Sequence, residues 1–364
     1  MTLTQAEAFA RIRLLRSPRI GPVSYAQLLA RYGDAETALE ALPTIGRSGG
    51  GSYSAVPREK VEREVEAVRR AGAKYLFHDR PDYPAPLREI DGAPPILTFR
   101  GDLALAARPC VAVVGARNAS AAAVKLARDF SQGLAEAGFT VVSGLARGID
   151  GAAHEGAFPQ TIGVIASGID IAYPTQHRDL QDRIASEGLL IAEQPPGTEP
   201  RGSHFPSRNR IIAGLASGTL VVEAAVKSGS LITARLASEV GREVMAIPGS
   251  PLDARSHGCN HLIREGAVLV QEPADVVELL SSFDGSPRST FRESVSAYDA
   301  VSDDIAEAEP ADIASLLGNV PVAVDERIRQ SGAPAAAVQL ALLELEIAGR
   351  LERHAGGRVS LSSG

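Results

Sequence analysis

Seven short aliphatic runs between residues 111 and 271 constrain this chain most: VAVVGA, FTVVSG, TIGVIASG, GLLIAEQ, GTLVVEA, REVMAIPG and AVLVQ. Nearly all lack the apolar–polar alternation of a strand with one wet face. Continuous Val, Ile and Leu runs of this length are buried on both faces, as in a parallel sheet covered by helices. Helical stretches such as AAAVKLARDFSQGLAEAG and SLITARLASEVG separate them. The spacing predicts a doubly wound α/β domain over residues 73–280, with ligands collecting at the carboxyl ends of its strands.

The flanks read differently. Residues 1–72 form an N-terminal helical domain, with helices in AEAFARIRLLRS, VSYAQLLARYG, DAETALEALP and PREKVEREVEAVRRAG and turns such as RSGGGS between them. In RIGPVSYAQLLARYG a Gly-Pro turn runs into an amphipathic helix, which favours a packing or protein-contact module over DNA contact. Residues 281–306 are polar and weakly periodic, as a linker is. Residues 307–364 give three helices and a Gly-Gly hairpin, the pattern of a winged helix. Its recognition helix would be 334–348, but an apolar interior with Glu344 and Glu346 is a poor base-reading face, and protein contact fits as well as DNA contact.

A net charge of −7 argues against a protein that coats duplex DNA through bulk positive charge. It leaves room for a local basic groove, because screening limits distant acids to about 8 Å. No apolar run approaches the ~18–20 residues of a membrane span, and the first residues lack a signal peptide's apolar block, so a cytoplasmic chain is expected. Cys110 and Cys259, the two cysteines, suggest neither a disulfide framework nor a thiolate metal site. His257, Cys259 and His261 have H-x-C-x-H spacing but no second ligand pair, so loop packing is expected there and no metal.

Chemistry is concentrated where the aliphatic runs end. VAVVGARNAS has one glycine, Gly115, and Arg117 occupies the position of a dinucleotide fingerprint's second glycine, which argues against NAD or FAD. Arg117 and Asn118 before a helix start would combine free amides, helix dipole and a guanidinium for an oxyanion. In VVSGLARGIDGAAHEGA, Ser143, Gly144 and Gly148 free the backbone for an anion-binding turn and Arg147 adds charge. Asp150 reads as a cap, and His154 as a packed residue rather than a base. ASGIDIAYPTQHRDL offers Tyr173, as a face for a nucleobase or as core, and Arg178.

The loop EQPPGTEPRGSHFPSRNRIIAG gathers Arg201, His204, Phe205, Arg208, Asn209 and Arg210, basic groups interleaved with a ring as single-stranded nucleic acid requires. One of Arg208 and Arg210 is expected to pair with an acid such as Glu193 or Glu223. VVEAAVKSGSLITA adds Glu223, Lys227 and Ser230 at another helix start. There is no G-x-S-x-G, no G-x-x-x-x-G-K-[ST] and no H-E-x-x-H. The pattern suits holding a polyanion more than transforming one.

With those residues in hand, the chain resembles the DNA-processing protein A (DprA/Smf) family. The matching stretches are VAVVGARNAS, VVSGLARGIDGAAHEGA, GVIASGIDIAYPTQH, HFPSRNRIIAGLASGTLVVEAAVKSGSLITARLA and MAIPGSPLDARSHGCNHLIREGA, together spanning about 110–270. The resemblance implies an extended Rossmann-like core that binds single-stranded DNA without strong sequence preference. It further implies a homodimer, delivery of a RecA-type recombinase onto incoming strands in natural transformation, no catalysis and no cofactor. Arg117 matches the family's DNA-contacting arginine. Thr175 and Gly202 stand where relatives carry basic residues, and Arg201, Arg147 or Arg178 would have to compensate. The family's dimer segment supplies Ile263 and Leu269 here. Two rivals remain: a phosphoribohydrolase-like nucleotide enzyme, whose Pro-Gly-Gly-x-Gly-Thr turn is missing, and an adaptor whose loops contact protein.

Overall fold

The structure, a computed structural model, describes residues 3–48, 53–282, 313, 317–318, 320–331, 335–354 and 356–362. Of the expected linker at 281–306, all but residues 281 and 282 lies outside them, as does most of the helix read in ADIASLLG. The described residues form two compact units, one from 64–295 and the other from 1–63 together with 296–364.

In the larger unit the strands are β1 (Lys74–Phe77), β2 (Ile96–Gly101), β3 (Cys110–Val114), β4 (Thr140–Ser143), β5 (Thr161–Gly168), β6 (Leu189–Gln194), β7 (Gly218–Val221), β8 (Glu243–Ala246) and β9 (Val268–Leu269). They form one sheet in the order β1-β2-β6-β5-β4-β3-β7-β8-β9. All seven aliphatic runs are strands, and neighbours from β6 through β9 pair in parallel. The expectation of a parallel sheet needs one correction. KYLF and ILTFRG add β1 and β2 antiparallel at the β6 edge, making the sheet mixed. β1 is short and begins on an exposed lysine, and KYLF lacks the terminal glycine of the βα units, whereas ILTFRG ends in Gly101 at φ 101°. ILTF after Pro94-Pro95 did carry a strand signal.

Every residue of β3, β4, β5, β7 and β8 is buried. Alternation survives inside β3, where Val111 and Val113 enter one core and Ala112 and Val114 the other. The chain winds outward from β3 through β4 and β5 to β6, then returns to β7 beside β3 and winds the other way. Right-handed crossovers therefore place helices on opposite faces. α6 (Ala121–Glu136) and α7 (Ile149–Ala157) pack on the Val111 side together with the helix Pro273–Ser281. The helices His204–Leu215, Gly229–Glu239 and His257–Arg264 pack on the Ala112 side. Below, these are named α9, α10 and α11, and Arg178–Glu187 is α8; the helix Ala85–Arg88 is α5.

The smaller unit contains α1 (Gln5–Arg16), α2 (Pro22–Tyr32), α3 (Ala35–Ser48) and the start of α4 (Arg58–Arg70). α3 runs through Pro43, where the sequence reading ended it, and buries Ile45 and Gly46 beyond it. C-terminal strands β10 (Val322–Ala323), β11 (Leu351–His354) and β12 (Arg358–Leu361) form a three-stranded sheet beside the helices Val324–Ser331 and Ala335–Ile347. This is a winged-helix arrangement, with Gly356 and Gly357 at φ 74° and 62° in the hairpin turn.

Helix Ala335–Ile347 carries apolar residues on more than one face because it is buried on two sides. Val338, Leu342 and Leu345 face its own small sheet and helices, while Leu343 and Ile347 join Leu14, Leu28 and Leu42 in the N-terminal helical core. The Ser24 hydroxyl and the Arg353 Nε both donate to Glu346 Oε2, at 2.7 and 2.9 Å. Glu346 is thus an internal acceptor, not a surface acid.

Candidate nucleic-acid interface

The winding direction reverses between β3 and β7, so the turns after these two strands diverge and leave a cleft between them. A cavity of about 720 Å³ opens there, lined by Gly115, Arg117 and Asn118 after β3 and by Lys227 and Ser230 after β7. Phe205 and Arg208 form another wall. A recess of about 40 Å³ adjoins it, lined by Gly144, Arg147, Tyr173, Arg117, Phe205 and Arg208. Loops separated by more than a hundred residues in sequence thus meet at one rim.

The Arg117 turn is held differently from the sequence expectation. Ser120 caps α6 by accepting from the Ala123 N–H at 3.1 Å. Its own N–H and hydroxyl donate to the Glu223 carboxylate at 3.0 and 2.7 Å. The Ala116 N–H donates to the Glu223 carbonyl at 2.7 Å. The α6 terminus therefore already holds an anion, a protein carboxylate at the end of β7, which takes the Ser120 N–H and hydroxyl. Arg117 is exposed, makes no ion pair among the described residues, and lays its guanidinium over the Phe205 ring at 4.9 Å. Gly148, at φ 75°, lets the β4 turn approach from below, since a Cβ there would strike the Ala116 carbonyl oxygen.

The turn after β4 is built from buried polar contacts. The Ser143 hydroxyl is fully buried and donates to the Val113 carbonyl at 2.6 Å. Asp150 Oδ2 accepts from the Gly144 and Ala146 amides at 3.2 and 3.4 Å and lies 3.9 Å from Arg208 Nη1. Asp150 thus caps the turn before α7 and charge-pairs beneath it. Burial pushes the Asp150 carboxyl up and the Arg208 guanidinium down, and each charge opposes the other's shift.

Leu145, at φ 56°, is strained for a branched side chain. Its N–H donates to His154 Nε2 at 3.3 Å and its carbonyl accepts from His177 Nδ1 at 2.9 Å. His154 Nδ1 donates to Thr161 Oγ1 at 2.7 Å, and that hydroxyl donates to the Val141 carbonyl at 2.9 Å. The chain fixes a neutral imidazole. Burial, with His177 and Arg208 nearby, pushes its pKa down to about 3. His154 is a structural acceptor, as the sequence reading expected.

The stretch read as a fourth loop is helical from His204 onward, as α9. Helical spacing separates its arginines. Phe205 and Arg208, three apart, face the cavity, and Arg210 turns away to pair with Glu193. Arg208 is only 6% exposed, donates to the Val164 carbonyl at 3.4 Å, and leaves its Nε without a partner. Both arginines are therefore engaged by acids. Tyr173, 45% exposed, lies 6.0 Å from Phe205 between ring centroids. Asn209, of the same cluster, is buried and lines the cavity beside Arg208.

Ser228 caps α10, accepting from the Ser230 N–H at 3.4 Å, and the two hydroxyls lie 2.7 Å apart. Lys227 is exposed and unpaired among the described residues, like Arg147. Arg178, Arg201 and His204 line neither cavity, and the Arg201 N–H donates to His204 Nδ1 at 3.3 Å. Leu269 lies on the edge strand β9 and is 46% exposed, whereas Ile263 packs partly against the core. His257 contacts the Pro251 carbonyl, Cys259 the Val221 carbonyl and His261 Arg264, so the three side chains serve separate partners. Among the described residues no helix is long and apolar enough to cross a membrane.

Fold and cleft define a three-part protein: a doubly wound α/β core with an arginine-rimmed switch-point cleft, an N-terminal helical module and a winged helix. Residues 74–281 match the family model for DNA recombination-mediator protein A, 5–67 the DprA-like N-terminal HHH domain, and 299–357 the DprA winged helix domain. The chain belongs to the DprA/Smf family. It is 50% identical over 198 residues to the DNA processing protein DprA of Streptococcus pneumoniae, covering 54% of this chain and 70% of that one. An X-ray structure of that species' protein superposes with a TM-score of 0.65 at 35% identity, covering 78% of this chain and 99% of the other. A structure of DNA processing protein A from Helicobacter pylori, described for its single-stranded DNA binding mode, gives a TM-score of 0.53 at 28% identity over 58% of this chain and 97% of that one.

Two measurements check this construction of the site. Arg208→Ala strands the buried Asp150 charge and is expected to cost about 3–5 kcal/mol in denaturant unfolding, with Arg208→Ala/Asp150→Asn recovering part of it; an unchanged midpoint for the single variant contradicts the pairing. The second follows from His154. Below pH 6.5 the unfolded chain takes up a proton that the folded chain refuses until about pH 3. Stability therefore falls as pH drops through that window, by up to about 1.4 kcal/mol per pH unit. Thermal midpoints between pH 7.5 and 4.5 should fall more steeply for the wild type than for His154→Gln, and parallel curves would exclude this role.

Proposed function

We propose that this protein is a single-stranded DNA-binding recombination mediator that protects incoming single strands and loads a RecA-type recombinase onto them in natural transformation. One observation carries the reading: Arg117, Arg147 and Lys227, exposed and unpaired among the described residues, surround a switch-point cleft walled by Phe205. Arg208 and Arg210, by contrast, are already neutralised by Asp150 and Glu193. Unpaired cations beside a ring suit a flexible strand, whose phosphates the arginines track while a base reaches the aromatic face. The Helicobacter pylori relative, described as binding single-stranded DNA, supports the same reading here. The protein works in the cytoplasm by holding the strand, without chemistry of its own.

Gly115, Asn118, Gly144, Gly148 and Ser230 shape the backbone around the strand, and Arg178, Arg201 and His204 lengthen the track beyond the cleft. Self-association runs through the β9 edge and Leu269, where an unpaired strand edge carries an exposed apolar side chain.

Arg117→Ala is expected to weaken oligo(dT) binding about tenfold and to lower the salt slope of log K by about 0.7. It should equally reduce recombinase assembly on coated single strands. Wild-type affinity and slope would overturn the cleft reading, and unaffected recombinase assembly would overturn the loading role. Leu269→Arg should convert a dimer to a monomer in light scattering at micromolar concentration. An unchanged mass would dismiss the β9 interface.

A further inference from the structure

We infer that Glu223 positions Arg117 for the DNA backbone by acting as a built-in anion at the start of α6. This rests on the cleft reading above. Glu223 is 7% exposed and touches both ends of the Arg117 turn. Its carbonyl accepts from the Ala116 N–H at 2.7 Å, and its carboxylate accepts from the Ser120 N–H at 3.0 Å and the Ser120 hydroxyl at 2.7 Å. The first of these continues the β3–β7 ladder, whose last registered pair is Val114 with Val221 and in which the Val222 N–H donates to the Val114 carbonyl at 3.1 Å. Residues 117–119 are consequently clamped at both feet to the end of β7, and their exposed side chains are Arg117, the cation, and Asn118.

The sign of the charge makes the inference testable. A carboxylate in the wall of a polyanion cleft should oppose binding, and its removal should tighten the complex if Coulomb attraction alone mattered. A helix start stripped of its anion, however, leaves the Ser120 N–H and the α6 dipole unsatisfied. The turn then gains conformations in which Arg117 no longer meets a phosphate. Glu223 touches no DNA on this account. It is a positioning residue.

The test compares Glu223→Ala, Glu223→Gln, Arg117→Ala and Glu223→Ala/Arg117→Ala in the full chain, using oligo(dT) at several salt concentrations. Although it removes a negative charge, Glu223→Ala is expected to bind several-fold more weakly and to lose about 0.7 from the salt slope, the loss of one phosphate contact. Glu223→Gln keeps an acceptor for the Ser120 N–H but loses the charge that faces the α6 dipole, and should fall between Glu223→Ala and wild type. The double variant should bind no more weakly than Arg117→Ala, because both changes remove one contact. Should Glu223→Ala fail to fold, Ser120→Ala takes its place, since it removes the hydroxyl that Glu223 holds and should lower the slope likewise. Weak Arg117→Ala binding beside Glu223→Ala or Ser120→Ala binding at or above wild type, with an unchanged slope, overturns the inference and leaves the cleft reading standing. Wild-type binding by Arg117→Ala removes the cleft reading itself.

Discussion

The pairing of β3 with β7 is the constraint from which the rest of the core follows. These strands belong to opposite halves of the winding, so their following turns leave the sheet toward opposite faces. No helix can cover the gap between them, and a cleft is the geometric result. Because the ladder runs on to Ala116 and Glu223, the two turns that border the cleft are also bonded to each other. The cleft is thereby both open and rigid. A binding surface for a floppy strand benefits from that rigidity, since the partner already loses conformational freedom on binding.

Beneath the rim the protein places polar groups where an interior is expected. Asp150 with Arg208, His154 with Thr161, and Ser143 with Val113 all lie at or under the β4 turn. Each group would be costly alone in an apolar core, and each has a partner. Together they hold Leu145 in a conformation that its side chain disfavours. The outcome is a division among cations. Those tied to acids shape the turns, and those left without acids face solvent around the cleft. A chain of net charge −7 can in this way present a locally cationic rim, because the distant acids are screened.

The smaller unit obeys a related logic. A helix placed like a recognition helix carries leucines on two sides and a glutamate that accepts from Ser24 and Arg353. Its surface is engaged in packing against N-terminal helices, which accounts for a sequence so unlike a base-reading face. Sequence distance is no guide to such a contact: Ser24 and Glu346 lie 322 residues apart.

The amino-acid order alone determined the α/β core, because strands buried on both faces must be written as unbroken aliphatic runs, and that pattern exists before any folding. It also marked the glycine-rich strand ends and Arg117, since a turn that tight and a cation at that place are local properties. It missed β1 and β2, which depend on a neighbour at the sheet edge rather than on their own pattern. It treated α9 as loop and so could not say that Arg208 turns inward while Arg210 reaches Glu193, a distinction set by helical period. Most of all, it left the start of α6 vacant for a phosphate, when β7 delivers Glu223 there from 103 residues away. Which anion occupies a helix terminus is decided by strand order, and strand order exists only in three dimensions.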